Sequence, residues 1–129
     1  MKKILIATAL LLSSQTVIAE WVEYGTTDSF KAYYKDDSIR REKAMVKVWM
    51  VYDYNTSQTV VGGEQYISKM IHSQFDCRNE VSRATYLKMT SESFGGGDII
   101  WSNNNNESEF RPIVPGSILW AASRILCSE

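Results

Sequence analysis

Only two cysteines, Cys77 and Cys127, stand in this chain, so in an oxidising compartment each has a single possible partner. A bridge between them closes a loop of 51 residues, from position 77 through 127. In the chain-entropy picture, closing a loop of that length stabilises the folded state by roughly 4 kcal/mol. Whether the bridge forms depends on where the chain travels, and the opening residues bear on that.

Residues 1–19 read MKKILIATALLLSSQTVIA, with Lys2 and Lys3 ahead of an apolar run from Ile4 to Leu12 and then the polar Ser13, Ser14, Gln15 and Thr16. This is the layout of a secretory signal peptide. Val17 and Ala19 place small residues before a cut that leaves Glu20 as the new N-terminus. The apolar run falls short of the roughly 20 residues needed to cross a bilayer, so no transmembrane anchor is expected after cleavage. The leader contains no cysteine, which removes the usual point of lipid attachment. The expected product is exported, in the periplasm, secreted or at the cell surface, and not lipid-anchored.

The mature part, residues 20–129, has the length of one ordinary domain. Of the 14 basic residues, Lys2 and Lys3 leave with the leader, so 12 face all 15 acidic residues and the formal charge becomes −3. A chain with that balance lacks the basic field that nucleic-acid binding requires.

Most of this domain has the patterning of strands. Trp21 to Gly25 and Ser29 to Tyr34 form two short aromatic strands divided by the polar cluster Thr26-Thr27-Asp28. Lys35 to Lys43 is a charged, exposed connection. Ala44 to Tyr54 is the strongest strand, with Val46, Val48, Met50 and Tyr52 on one face and Met45, Trp49 and Val51 on the other. Apolar residues on both faces call for two covers, one being the core and the other a helix, a loop or another subunit.

Asn55 to Gly63 is polar, ends in two glycines and has the character of a loop. Gln65 to Cys77 and Glu80 to Thr90 form a hairpin around Arg78-Asn79, in a register that sets Phe75 against Ser82, Ser73 against Ala84 and Ile71 against Tyr86. The other face of this hairpin, with Gln74 beside Arg83, His72 beside Thr85 and Met70 beside Leu87, is the more polar one. Gly95-Gly96-Gly97 turns into a short strand, Ile99 to Trp101, and the asparagines from 103 to 106 continue as a loop. Asn55 and Asn106 begin N-x-Ser patterns that carry no weight in a bacterial exported protein.

Pro112 and Pro115 lead into a helix from Ile118 to about Leu126, capped by Ser117. Leu119, Ala122, Ser123, Leu126 and Cys127 form one stripe along it, and Cys127 ends that stripe where Cys77 can reach it. The disulfide is thus expected to pin the last helix to the sheet.

Little catalytic chemistry is visible. A single histidine, His72, offers no cluster with metal-ligand spacing, and no metal or other cofactor is expected. His72 near Asp76 is the one arrangement that might serve a hydrolase as a base, although no Gly-x-Ser-x-Gly elbow accompanies it. The glycine triplet lacks the Lys-Ser or Lys-Thr of a phosphate loop.

Several features recur together: Trp21 soon after export, Tyr34-x-Asp36 before Ser38-Ile39-Arg40, the strand Val46-Lys-Val-Trp49, Cys77-Arg78, the Pro115-x-Ser117 helix start and a terminal cysteine. In this order the chain resembles the surface-adhesin protein E family of Gram-negative bacteria from Trp21 to Cys127. The resemblance implies an α+β fold: one antiparallel sheet of about six strands, with a C-terminal helix held on one face by the disulfide. It also implies host extracellular matrix or plasma proteins, such as vitronectin and laminin, as partners, and a homodimer. The missing anchor cysteine and the acidic balance depart from the founding adhesin.

The reading is therefore an exported, non-enzymatic binding protein. The alternative is a soluble periplasmic envelope-assembly factor or inhibitor. Charge and turn placement single out Arg40, Arg41, Arg78 and Arg83 as candidate contact residues. The aromatic load, including Trp21, Trp49, Tyr66 and Trp101, exceeds what a small core must hold and favours protein contacts.

Overall fold

The computed structural model describes residues 20–104 and 108–128. The expected leader and Asn106 lie outside them. Eight strands make one antiparallel sheet: β1 (Trp21–Thr26), β2 (Phe30–Lys35), β3 (Arg40–Glu42), β4 (Met45–Thr59), β5 (Gln65–Asp76), β6 (Val81–Thr90), β7 (Ile99–Asn104) and β8 (Arg111–Pro112). One helix, α1 (Ile118–Leu126), follows. The main path runs β1-β2-β4-β5-β6-β7, with β3 added beside β4 and β8 beside β6. The two short additions raise the strand count above the expected six, and the architecture is otherwise the expected one.

Alternation along β4 builds the core. Val46, Val48 and Met50 point to one side, are almost fully buried and meet Phe75 of β5 and Tyr34 of β2. Ala122 and Leu126 of α1 close over them. Phe75 is fully buried, and truncating such a ring typically costs about 3–5 kcal/mol.

The helix starts where the sequence places it. The Ser117 hydroxyl accepts the Trp120 N–H at 3.1 Å, satisfying one of the donors left over in the first turn. Its N-terminal end approaches β1 so closely that a Cβ on Gly25 would lie 2.6 Å from the Ile118 Cδ1 atom, so a residue without a side chain is needed there. At the other end the Cys77–Cys127 disulfide joins α1 to the β5–β6 turn, with 5.6 Å between the Cα atoms.

Four local expectations are corrected. The first concerns β4, which does not stop at Tyr54 but continues to Thr59 and pairs Gln58 with Tyr66 and Thr59 with Gln65 after a register shift. This polar extension needs no buried face, because the ladder to β5 alone satisfies its backbone. Second, the charged connection contains a single-turn helix at Asp36–Ser38 and then β3, whose Arg40, Arg41 and Glu42 pair with Lys47, Val46 and Met45.

Third, Asn103 and Asn104 belong to β7, paired with Leu87 and Tyr86. Fourth, the hairpin register holds from Asp76–Val81 to Ser73–Ala84 and then slips. An irregularity between His72 and Ser73 sets Tyr86 against His72, and Leu87 against Ile71. Thr85 is the extra residue, and its hydroxyl donates to the His72 carbonyl at 3.3 Å.

The β5–β6 turn is held by Asp76, a nearly buried carboxylate. It accepts the Arg78 N–H at 3.1 Å, the Asn79 N–H at 3.2 Å and the Asn79 side-chain amide at 2.8 Å. These bonds, that of the Asn79 side chain foremost, hold its pKa below the usual carboxylate value.

Two outcomes follow from this architecture. Replacing both cysteines, in Cys77→Ser/Cys127→Ser, is expected to lower unfolding free energy by about 4 kcal/mol in guanidinium titrations. Asp76 binds its proton less readily folded than unfolded, so its contribution is present above the ordinary carboxylate pKa and lost as pH falls through the lowered value. Asp76→Asn should therefore lower stability at neutral pH and flatten the loss of stability below about pH 4, measured by denaturation across pH.

Candidate functional site

Because strand residues alternate, the side of the sheet away from α1 receives every second residue of β3 to β6. The pairing registers lay them out in rows. One row runs Arg40, Lys47, Gln74, Arg83 across β3, β4, β5 and β6. The next row along the strands is Trp49, His72, Tyr86. A row of three cations thus stands beside a row of three rings.

The ring row is packed edge to edge. Trp49 stacks on His72 with centroids 4.5 Å apart and planes 22° apart, and Tyr86 meets Trp49 at 5.7 Å in an edge-on arrangement. The slip at Thr85 brings Tyr86 into this row. Partial burial and, secondarily, the charge of Lys47 hold the His72 pKa below its ordinary value. His72 is therefore neutral near pH 7.

Further along the same face, a loop supplies the second cover that β4 requires. Phe94 lies over it, with ring centroids 4.8 Å from Tyr33 and 5.8 Å from Trp21, and Val51 beneath is fully buried. Phe94 holds a left-handed backbone with φ of 56°, a conformation that surrounding contacts must maintain. They include the Gly95 N–H donating to the Ser68 hydroxyl at 2.9 Å. Gly95, at φ 76°, also passes so near Met70 that a Cβ there would lie 2.5 Å from its Cε atom. The glycine triplet is thus a tight turn that seats Phe94.

The four arginines singled out from the sequence separate. Arg40 is exposed on the open face and donates to the backbone carbonyls of Asp37 at 3.1 Å and Ile39 at 2.9 Å. Arg83 shares its row, donating to the Gln74 side-chain oxygen at 2.9 Å and the Ser108 carbonyl at 3.2 Å, with its guanidinium 4.5 Å over the Phe110 ring. Arg41 points to the helix side and donates to the Leu126 carbonyl, where a cation also suits the negative end of the helix. Arg78 is exposed at the β5–β6 turn, away from the row.

Lys47 is the residue that the sequence reading passed over. It is exposed and sits between Arg40 and the Gln74–Arg83 pair. Its place inside the pattern Val46-Lys47-Val48-Trp49 was the available signal, since a cation between buried valines must face outward.

The His72–Asp76 pair is corrected as well. The Asp76 carboxylate is engaged by its own turn, and the side-chain neighbour of the His72 Nδ1 atom is the Thr85 hydroxyl at 3.3 Å. Among the described residues no group of three or more His, Cys, Asp and Glu side chains converges as a metal site would require. No helix among them is long and apolar enough to cross a membrane.

On the helix side, an open groove of about 700 Å³ lies between α1 and the β5–β6 strands. Tyr52, Ile71, Leu87 and Leu119 give it apolar walls, and Arg111 stands at its rim. It contains no grouping of nucleophile and base.

Comparison with curated proteins finds no match. Solved structures of similar fold include crystal form II of Haemophilus influenzae protein E, with a TM-score of 0.66 and 15% identity, covering 94% of this chain and 97% of that one. A second structure of Haemophilus influenzae protein E gives a TM-score of 0.65 at 15% identity over 92% of this chain and 91% of that one. Protein E from non-typeable Haemophilus influenzae gives 0.62 at 15% identity, over 92% and 82%. At that identity the likeness establishes the fold. The profile of the surface-adhesin protein E family matches residues 21–128, nearly the whole described chain, and the chain belongs to that family.

Proposed function

We propose that this protein is an exported, non-enzymatic, adhesin-like binding protein that acts through protein contacts made by the sheet face opposite the helix. Family membership supports a surface adhesin-like role. The observation that carries the choice of face is the cation row set beside the ring row. Arginine, tryptophan and tyrosine are the residue types that dominate protein–protein contact energies. A rigid sheet also presents them with little conformational entropy left to lose on binding.

Residues 1–19 act in this reading as the export signal, and residues 20–129 as the working domain. The partners are host extracellular matrix or plasma proteins, of which vitronectin and laminin are the first to test. The family's self-association is proposed for this chain too, through the open edges of β1 and β7. His72 is assigned a packing role, since its ring is stacked on Trp49 and its pKa is held down.

Purified protein is expected to be retained on immobilised vitronectin or laminin, in the presence of reduced salt dependence for the aromatic share of the contact, and to appear at the cell surface or in the medium on fractionation. No retention under conditions where Haemophilus influenzae protein E is retained, together with purely periplasmic recovery, would overturn the adhesin reading.

A further inference from the structure

The two rows on the open sheet face impose a pattern on whatever lies across them. Residues two apart on a strand are separated by about 6.8 Å, so a trough of that width runs between the cation row and the ring row. The row from Arg40 to Arg83 crosses β3, β4, β5 and β6, three inter-strand steps of about 4.8 Å, or roughly 14 Å in all. An extended chain laid along the trough covers that distance in about five residues and turns alternate side chains to opposite sides. One set then faces the cations, and the other faces the rings.

We propose that this trough binds an extended protein segment of alternating acidic and apolar residues, the acidic ones on Arg40, Lys47 and Arg83 and the apolar ones on Trp49, His72 and Tyr86. The inference rests on the protein-binding reading above and specifies its partner. Acidic side chains on one edge of such a segment recur every ~6.8 Å. The first falls at Arg40, the second near Lys47, and the third, about 13.6 Å on, close to Arg83.

The charge of the row is not cancelled from within. Its fourth member, Gln74, is neutral and holds the Arg83 Nε–H, which orients that guanidinium. Of the acids in the adjoining row, Asp76 is turned into its own hairpin and Glu42 stands at the far side of the cations from the trough. This local positive stripe belongs to a chain whose formal net charge is −1 overall, so a segment of negative charge is drawn to this face in particular. A sulfated glycan would satisfy the cations but leave the ring row without an apolar partner, which is why a protein segment is favoured.

The test uses isotope-labelled exported protein and a nine-residue synthetic peptide alternating glutamate and leucine. Controls are a peptide of the same composition in two blocks and low-mass heparin. His72 is the sole histidine, so its ring resonances, with the Trp49 indole signal, report on the trough. The alternating peptide should shift both signals, bind at least tenfold more tightly than the block peptide, and weaken with added salt.

Lys47→Glu should reduce its affinity at least tenfold with the spectrum still that of a folded protein, whereas Arg78→Glu, off the row, should change it less than twofold. Equal binding of the block peptide, heparin binding without peptide binding, or indifference to Lys47→Glu would overturn the proposal. Retention on host protein that survives Lys47→Glu would discard the trough as the contact while leaving the binding role in place. Absence of such retention in the unaltered protein would remove the role and leave the peptide result to stand alone.

Discussion

A nine-residue helix has little stability of its own, and in this protein it is the lid on the core. What makes it usable is its attachment at both ends. Cys127 joins its C-terminus covalently to the β5–β6 turn, and at its N-terminus Gly25 opens the space into which Ile118 descends. Arg41 adds a third tie by donating to the Leu126 carbonyl from β3. With the helix held, Ala122 and Leu126 seal Val46, Val48, Met50 and Phe75 from water. A single sheet without that cover would expose an apolar face, which favours association with other chains.

The same alternation that fills the core also assembles the opposite face. Along β4, Val46, Val48 and Met50 go inward while Lys47 and Trp49 go outward. Core and candidate contact face are therefore linked in register, and a slip by one residue would exchange them. The bulge at Thr85 is the place where this coupling is adjusted. It shifts β6 by one position, so that Leu87 joins Ile71 on the helix side and Tyr86 joins His72 on the other. Without it, the ring row would lack its third member. Phe94 and its glycine turn cover the far part of the face, which confines the open area to the cation and ring rows.

Features governed by neighbours in sequence were readable in advance. The Ser117 cap, the stripe of α1 and the inward valines of β4 depend on a few adjacent residues and on a fixed period, and the structure has them where expected. The hairpin register near the disulfide was legible for the same reason, since only a short turn separates its arms. Asn55 to Thr59 and Asn103–Asn104 were not, because their residue types favour loops and only pairing with β5 or β6 keeps them extended. The four arginines looked alike in the sequence. Their separation into a row pair, a helix tie and a turn residue is a consequence of which strand edge each one reached.

The amino-acid sequence by itself determined the one possible disulfide, the strand and helix types of the main elements, and the alternation that gives β4 two distinct faces. These follow from short-range periodicity and from counting cysteines. The tertiary structure alone decided which cations share a surface, that Tyr86 rather than Thr85 stands beside His72, and that a glycine-seated Phe94 supplies the second cover. Those outcomes depend on cross-strand register and on contacts between residues far apart in the chain, which no local pattern encodes.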